Sequence, residues 1–163
     1  MARKARTVGF SAAIIGVLVD QAAKAWMLGP FALDEKGRTA VTPFLDLVMV
    51  WNRGISYGLF EQGSELGRWA LVAVGVGGAL LFGWWLWSTK GLLAALSLGL
   101  VIAGAISNVI DRLVHGAVAD FLLFHAGGFE WYVFNLADAW IVSGVIGLVL
   151  SWMLERPEIA TEA

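Results

Sequence analysis

Four long apolar stretches run through the chain, at roughly 8–28, 67–87, 91–111 and 134–154. Coiled as helices with a rise of about 1.5 Å per residue, each is long enough to cross a hydrocarbon core of ~30 Å. The intervening segments, about 29–66 and 112–133, are too polar or too broken to span. Inside the first of them, Val41-Thr42-Pro43-Phe44-Leu45-Asp46-Leu47-Val48-Met49-Val50-Trp51-Asn52 is apolar, yet Pro43 and the following Arg53-Gly54 deny it a continuous helix. Short extended strands around an Asn-Arg-Gly turn are predicted there, an element that can lie on a membrane surface and bind an extended peptide through its backbone. The pattern as a whole predicts an all-α membrane protein, with residues 1–163 forming a single integral membrane domain built on four transmembrane helices.

Composition agrees: 59% hydrophobic and 15% charged residues lie outside the range of soluble globular domains. Cysteine is absent, which removes disulfides, thiolate metal sites and cysteine nucleophiles together. A net charge of -2 offers no footprint for nucleic acid, whereas nine tryptophans suit the two membrane interfaces. Arg3, Lys4 and Arg6 predict a cytoplasmic N-terminus. Four spans then place the C-terminus and the Ser88-Thr89-Lys90 turn on the same side, with 29–66 and 112–133 outside. The first apolar stretch is expected to be a span rather than a cleaved leader, because it holds Asp20 and Lys24 and lacks a convincing small-residue cleavage site.

Polar residues inside or beside such stretches are costly and point to function. In the first, Gly16, Asp20 and Lys24 recur every four residues, so Asp20 and Lys24 are placed to form an ion pair, either structural or part of a proton path. In the third, Gly104, Asn108, Asp111 and Arg112 are expected on one face, set among small residues that let helices approach closely. Asp111 reads most simply as a local charge partner at a helix end. Arg112 and Asn108 are open to a site role, since a guanidinium fork can hold peptide carbonyls. Asn135 and Asp138 share the first turn of the fourth helix, and Asp120 precedes the apolar run Phe121-Leu122-Leu123-Phe124. Either acid alone could be an interface or helix-start residue. Together, about 3 Å apart, two such carboxylates would share a proton and form a hydrolytic pair needing neither metal nor cofactor.

Other chemistries lack parts. His115 and His125 are the only histidines, and there is no His-Glu-x-x-His, no Gly-x-Gly-Asp and no phosphate-binding loop. The non-enzymatic alternative is a small carrier using Asp20, Lys24 and the two acids as a proton path.

Five blocks in order carry a resemblance: Asp20-Gln21 with Lys24; Asn52-Arg53-Gly54; Gly104 with Asn108 and Asp111-Arg112; Val118-Ala119-Asp120-Phe121; and Phe134-Asn135-Leu136-Ala137-Asp138. With four spans, the chain resembles the bacterial lipoprotein signal peptidases (signal peptidase II). The resemblance implies a four-helix bundle with an external β-cradle and a periplasmic helix, in the bacterial inner membrane. It implies an aspartyl endopeptidase that removes the signal peptide from diacylglyceryl-modified prolipoproteins just before the lipidated Cys, with Asp120 and Asp138 as the catalytic pair. By the same carry-over Asn52, Gly54, Asn108, Arg112, Asn135 and Ala137 line or brace the site, Asp20, Lys24, Gly104 and Asp111 are structural, and globomycin-type cyclic peptides inhibit. Ser56 and Tyr57, where the family usually has Ala and Phe, and Ser107, where Gly is frequent, depart from the pattern and bear on cradle detail and inhibitor affinity.

Overall fold

A computed structural model describes residues 2–54 and 65–154. In chain order the elements are helix α1 (Ala2–Leu28), the short helix α2 (Leu33–Lys36), strands β1 (Thr39–Thr42) and β2 (Leu45–Asn52), helices α3 (Glu65–Ser88) and α4 (Leu92–Val114), strands β3 (Val118–Ala126) and β4 (Phe129–Glu130), and helix α5 (Leu136–Leu154). The four long helices are each apolar enough to cross a membrane. Hydropathy located them well but not their ends. α1 continues through the basic arm, where the Arg6 guanidinium lies 4.5 Å from the Trp87 ring, because a helix need not stop where hydrocarbon does.

Among these helices α4 is the most enclosed. Two adjacent rows along it, each at four-residue spacing, meet different neighbours. Ala103, Ser107 and Asp111 face α1, whose own buried stripe is Ala5, Gly9, Ala13, Gly16, Asp20 and Lys24. Gly104 and Asn108 face α5. The single polar face expected for α4 is therefore two rows, since successive residues turn about 100° around a helix.

Lipid supplies no hydrophobic drive for helix association, so close backbone approach has to do it. A Cβ on Gly104 would run into the Ala137 carbonyl oxygen of α5, and one on Gly99 into the Gly9 carbonyl oxygen of α1. Large apolar side chains such as Leu80, Trp84 and Leu154 point outward instead.

The strands form one antiparallel sheet in the order β1-β2-β3-β4. Strands expected before the Asn52-Arg53-Gly54 turn are present as β1 and β2, while the continuation through Ser56 and Tyr57 lies outside the described residues. The main partner of β2 is β3, from the other inter-helix segment. Residues 112–133 thus carry the end of α4 and two strands; among the described residues the only helix lying wholly between the spans is α2.

Candidate active site

Asp120 owes its place to strand pairing. In the β2–β3 register Val50 lies opposite Asp120 and Asn52 opposite Val118, so with a two-residue period Val50, Asn52 and Asp120 share one face of the ribbon. Asn52 Nδ2 donates to Asp120 Oδ2 at 3.1 Å, and Gly54 N donates back to Asn52 Oδ1 at 3.2 Å, fixing the amide's orientation. The other oxygen, Oδ1, accepts from Asn135 Nδ2 at 2.6 Å. Asp120 is 2% exposed. Burial, then the charge of Asp138, push its carboxyl up to about 6, against the two amide hydrogen bonds that favour the ionised form.

Asp138 is positioned by the start of α5. Asn135 accepts from Asp138 N at 3.0 Å and Asp138 Oδ2 accepts from Asn135 N at 3.3 Å, a reciprocal cap that explains why the helix begins at Leu136. Asp138 Oδ1 accepts from Asn108 Nδ2 at 2.9 Å, and Asn108 Oδ1 takes a long contact, 3.4 Å, from Asn135 Nδ2. A chain of side-chain amides, Asn108 and Asn135, therefore links the two acids. Both open on one cleft of about 440 Å³, whose walls include Val50, Asn52, Gly54, Tyr132 and Phe134. Phe134 and Asp138 also border a larger groove of about 810 Å³, almost wholly apolar, between the sheet and α5, lined by Phe44, Phe124, Trp131 and Val142.

Beneath the site lies a buried ionic cluster. Lys24 Nζ is 2.7 Å from both Asp20 Oδ2 and Asp111 Oδ2. Ser107 Oγ donates to Asp20 Oδ2 at 2.6 Å, and Gln21 Nε2 to Asp111 Oδ1 at 2.8 Å. Each carboxylate also accepts one backbone N–H: Asp20 that of Ala137 at 2.9 Å, and Asp111 that of Ala119 at 3.2 Å. The ion pair expected between Asp20 and Lys24 is present. The local pairing of Asp111 with Arg112 is not: Asp111 lies in the α4 row that meets α1, while Arg112 Nη1 donates to Asn108 O at 3.0 Å and its buried Nε has no hydrogen-bond partner among the described residues.

Of the residues singled out in the sequence, the structure gathers Asn52, Gly54, Asn108, Asp120, Asn135 and Asp138 around one cleft, with Asp20, Lys24, Asp111 and Ala137 immediately behind it and Gly104 at the α4–α5 crossing. Ser107 and Gln21 take part without having been assigned a role. The signal for Ser107 was its four-residue spacing to Asp111. Val50 and Tyr132 as cleft walls carried no sequence signal, and Phe134 stood at the head of its motif block without an assigned role.

The family model described as signal peptidase (SPase) II matches residues 12–154. The lipoprotein signal peptidase of Methylobacterium sp. (strain 4-46) is 46% identical over 155 residues, covering 94% of each chain. That of Beijerinckia indica subsp. indica is 48% identical over 145 residues, covering 89% of this chain and 87% of the relative. A solved bacterial membrane enzyme shares the fold with a TM-score of 0.78 at 22% identity, over 95% of this chain and 93% of that one. Matched along nearly its whole length and carrying four membrane-capable helices, the chain belongs to the signal peptidase II family of lipoprotein signal peptidases, multi-pass aspartic peptidases of the bacterial inner membrane.

Proposed function

We propose that this protein is a single-domain aspartyl endopeptidase that cuts diacylglyceryl-modified prolipoproteins just before the lipidated Cys, with Asp120 and Asp138 as the catalytic pair. The observation that carries this is the common cleft of the two acids and the amide chain that joins them. With one proton shared, the ionised carboxylate takes a proton from water as the water oxygen attacks the scissile carbonyl carbon. The protonated partner donates to the carbonyl oxygen. Collapse of the tetrahedral adduct breaks the C–N bond, and the departing amine of the lipidated Cys receives a proton from the pair. The cradle strand β2 offers the extended signal peptide a surface beside Asp120, and the Arg112 guanidinium, held by Asn108 O, is the donor suited to a peptide carbonyl.

The apolar groove that shares Phe134 and Asp138 with the cleft suits the acyl chains, and a globomycin-type cyclic lipopeptide would compete there and at the acids. Purified enzyme in detergent should release the signal peptide from a lipidated precursor and spare the unlipidated one, with no need for a proton gradient. Ala126→Trp, which fills the groove from the end of β3 six residues beyond Asp120, is expected to raise KM about tenfold with kcat within about twofold. An unchanged KM would remove the chains from this groove.

Orientation follows from the basic N-terminal arm. Both termini and Lys90 lie in the cytoplasm, and the acids at the periplasmic face, where prolipoproteins arrive. A reporter inserted at Lys36 should read as periplasmic and one at Lys90 as cytoplasmic; the reverse would put the acids on the wrong side of the membrane.

A further inference from the structure

The cluster behind the acids has an arrangement that simple helix packing does not require. Ala119 immediately precedes Asp120 and Ala137 immediately precedes Asp138, and the backbone N–H of each is held by a carboxylate of the same ionic cluster, Asp111 for one and Asp20 for the other. Those two carboxylates belong to different helices, α4 and α1, and Lys24 Nζ joins them directly, 2.7 Å from each, beside a longer link through Gln21 and Ser107. Lys24 is 3% exposed, Asp111 2% and Asp20 0%, so water does not compete for these bonds.

We infer that Lys24 is a positioning residue for catalysis: by locking Asp20 to Asp111 it ties the backbone before one catalytic acid to the backbone before the other, and so sets the separation of the pair. This rests on the assignment of Asp120 and Asp138 as the catalytic pair. The physical need is plain. Asp120 is on a strand and Asp138 at a helix start; the backbone bonds of Phe121 and Leu122 with Phe134 tie the two segments after Asp120, while the residues that immediately precede the acids are held by the cluster. Proton sharing tolerates little error, and the amide bridge on the cleft side includes one weak 3.4 Å link. A charged lock from behind adds to the Phe134 bridge and the amide chain and holds the second side of each acid's backbone. The supporting bonds are weighted to the two halves: Gln21 Nε2 donates at 2.8 Å to Asp111 and at 3.1 Å to Ser107 Oγ, while the Ser107 hydroxyl donates to the Asp20 half.

The test combines kinetics on a lipidated prolipoprotein with backbone amide exchange of the detergent-solubilised protein, each at a temperature where the variant is fully folded. Lys24→Met is expected to lower kcat by about 10²-fold with KM within about twofold, because a displacement near 1 Å costs about that much in rate and substrate grip lies elsewhere. The Ala119 and Ala137 amides should both exchange faster. A merely stabilising role predicts normal kcat in folded enzyme.

Should Lys24→Met not accumulate, the milder variants decide. Gln21→Met should speed exchange more at Ala119 than at Ala137, and Ser107→Ala more at Ala137 than at Ala119. Wild-type kcat in folded Lys24→Met, a loss confined to KM, or unchanged exchange at both amides in the milder pair overturns the inference. If instead the wild-type enzyme releases no signal peptide, the functional assignment fails, and amide exchange still tests the lock.

Discussion

Asp120→Asn and Asp138→Asn each reduce signal-peptide release by about 10³-fold or more, beyond what loss of one general acid or base typically costs, since either change removes the shared proton itself. Their stability cost differs. Asp120 accepts from Asn52 on one oxygen and Asn135 on the other, so an amide at 120 must aim its NH₂ at one of these donors and leaves a buried conflict of about 1–3 kcal/mol. Asp138 also accepts on both oxygens, from Asn108 Nδ2 and Asn135 N, but it is only partly buried, so solvent can serve the donor that an Asn leaves unpaired. Thermal unfolding in detergent should therefore show Asp120→Asn clearly lowered and Asp138→Asn near wild type, both inactive. Wild-type-like turnover in either variant would falsify the pair.

Asn135→Ala is expected to have the next largest effect, because one side chain serves both acids. It loses the 2.6 Å donation to Asp120 and the cap on α5, worth about 0.5–2 kcal/mol. The rate should fall about 10²-fold as Asp138 and Asp120 lose their common tie. The pH profile gives an independent sign. A carboxyl raised to about 6 holds its proton below that pH and releases it above, so kcat/KM of the wild-type enzyme should decline as pH rises past about 6. Asn135 donates to the ionised form and opposes that rise. Its removal lets the pair keep the proton to higher pH, and the alkaline limb moves upward. A limb that stays put, or moves to lower pH, would mean that Asn135 does not act through Asp120.

Much of this was legible because it is local. Hydropathy finds α1, α3, α4 and α5, and the four-residue spacing of Asp20 and Lys24 finds their ion pair. What the sequence hid is non-local or carried by backbone. The run Phe121-Leu122-Leu123-Phe124 is too short for periodicity to separate strand from interface segment, and its partner β2 lies about seventy residues earlier. Asp111 and Arg112 are neighbours in sequence, yet about 100° apart around α4, which sends one toward Lys24 and the other toward the cleft side. The N–H groups of Ala119 and Ala137 leave no mark on residue identity at all, since any residue but proline supplies them.

Strand pairing also makes Asp120 a matter of parity. Side chains on β3 alternate between faces, so one residue added or removed between the end of α4 and Val118 would slide the strand by a single step and present Ala119 or Phe121 to the cleft. Composition, hydropathy and helix count would all survive such a change. The short connection His115-Gly116-Ala117 is thus a fixed-length ruler, whereas the Gly127-Gly128 turn at the far end of β3 is free to vary in length, and descendants of this chain should record indels at the second place and almost none at the first.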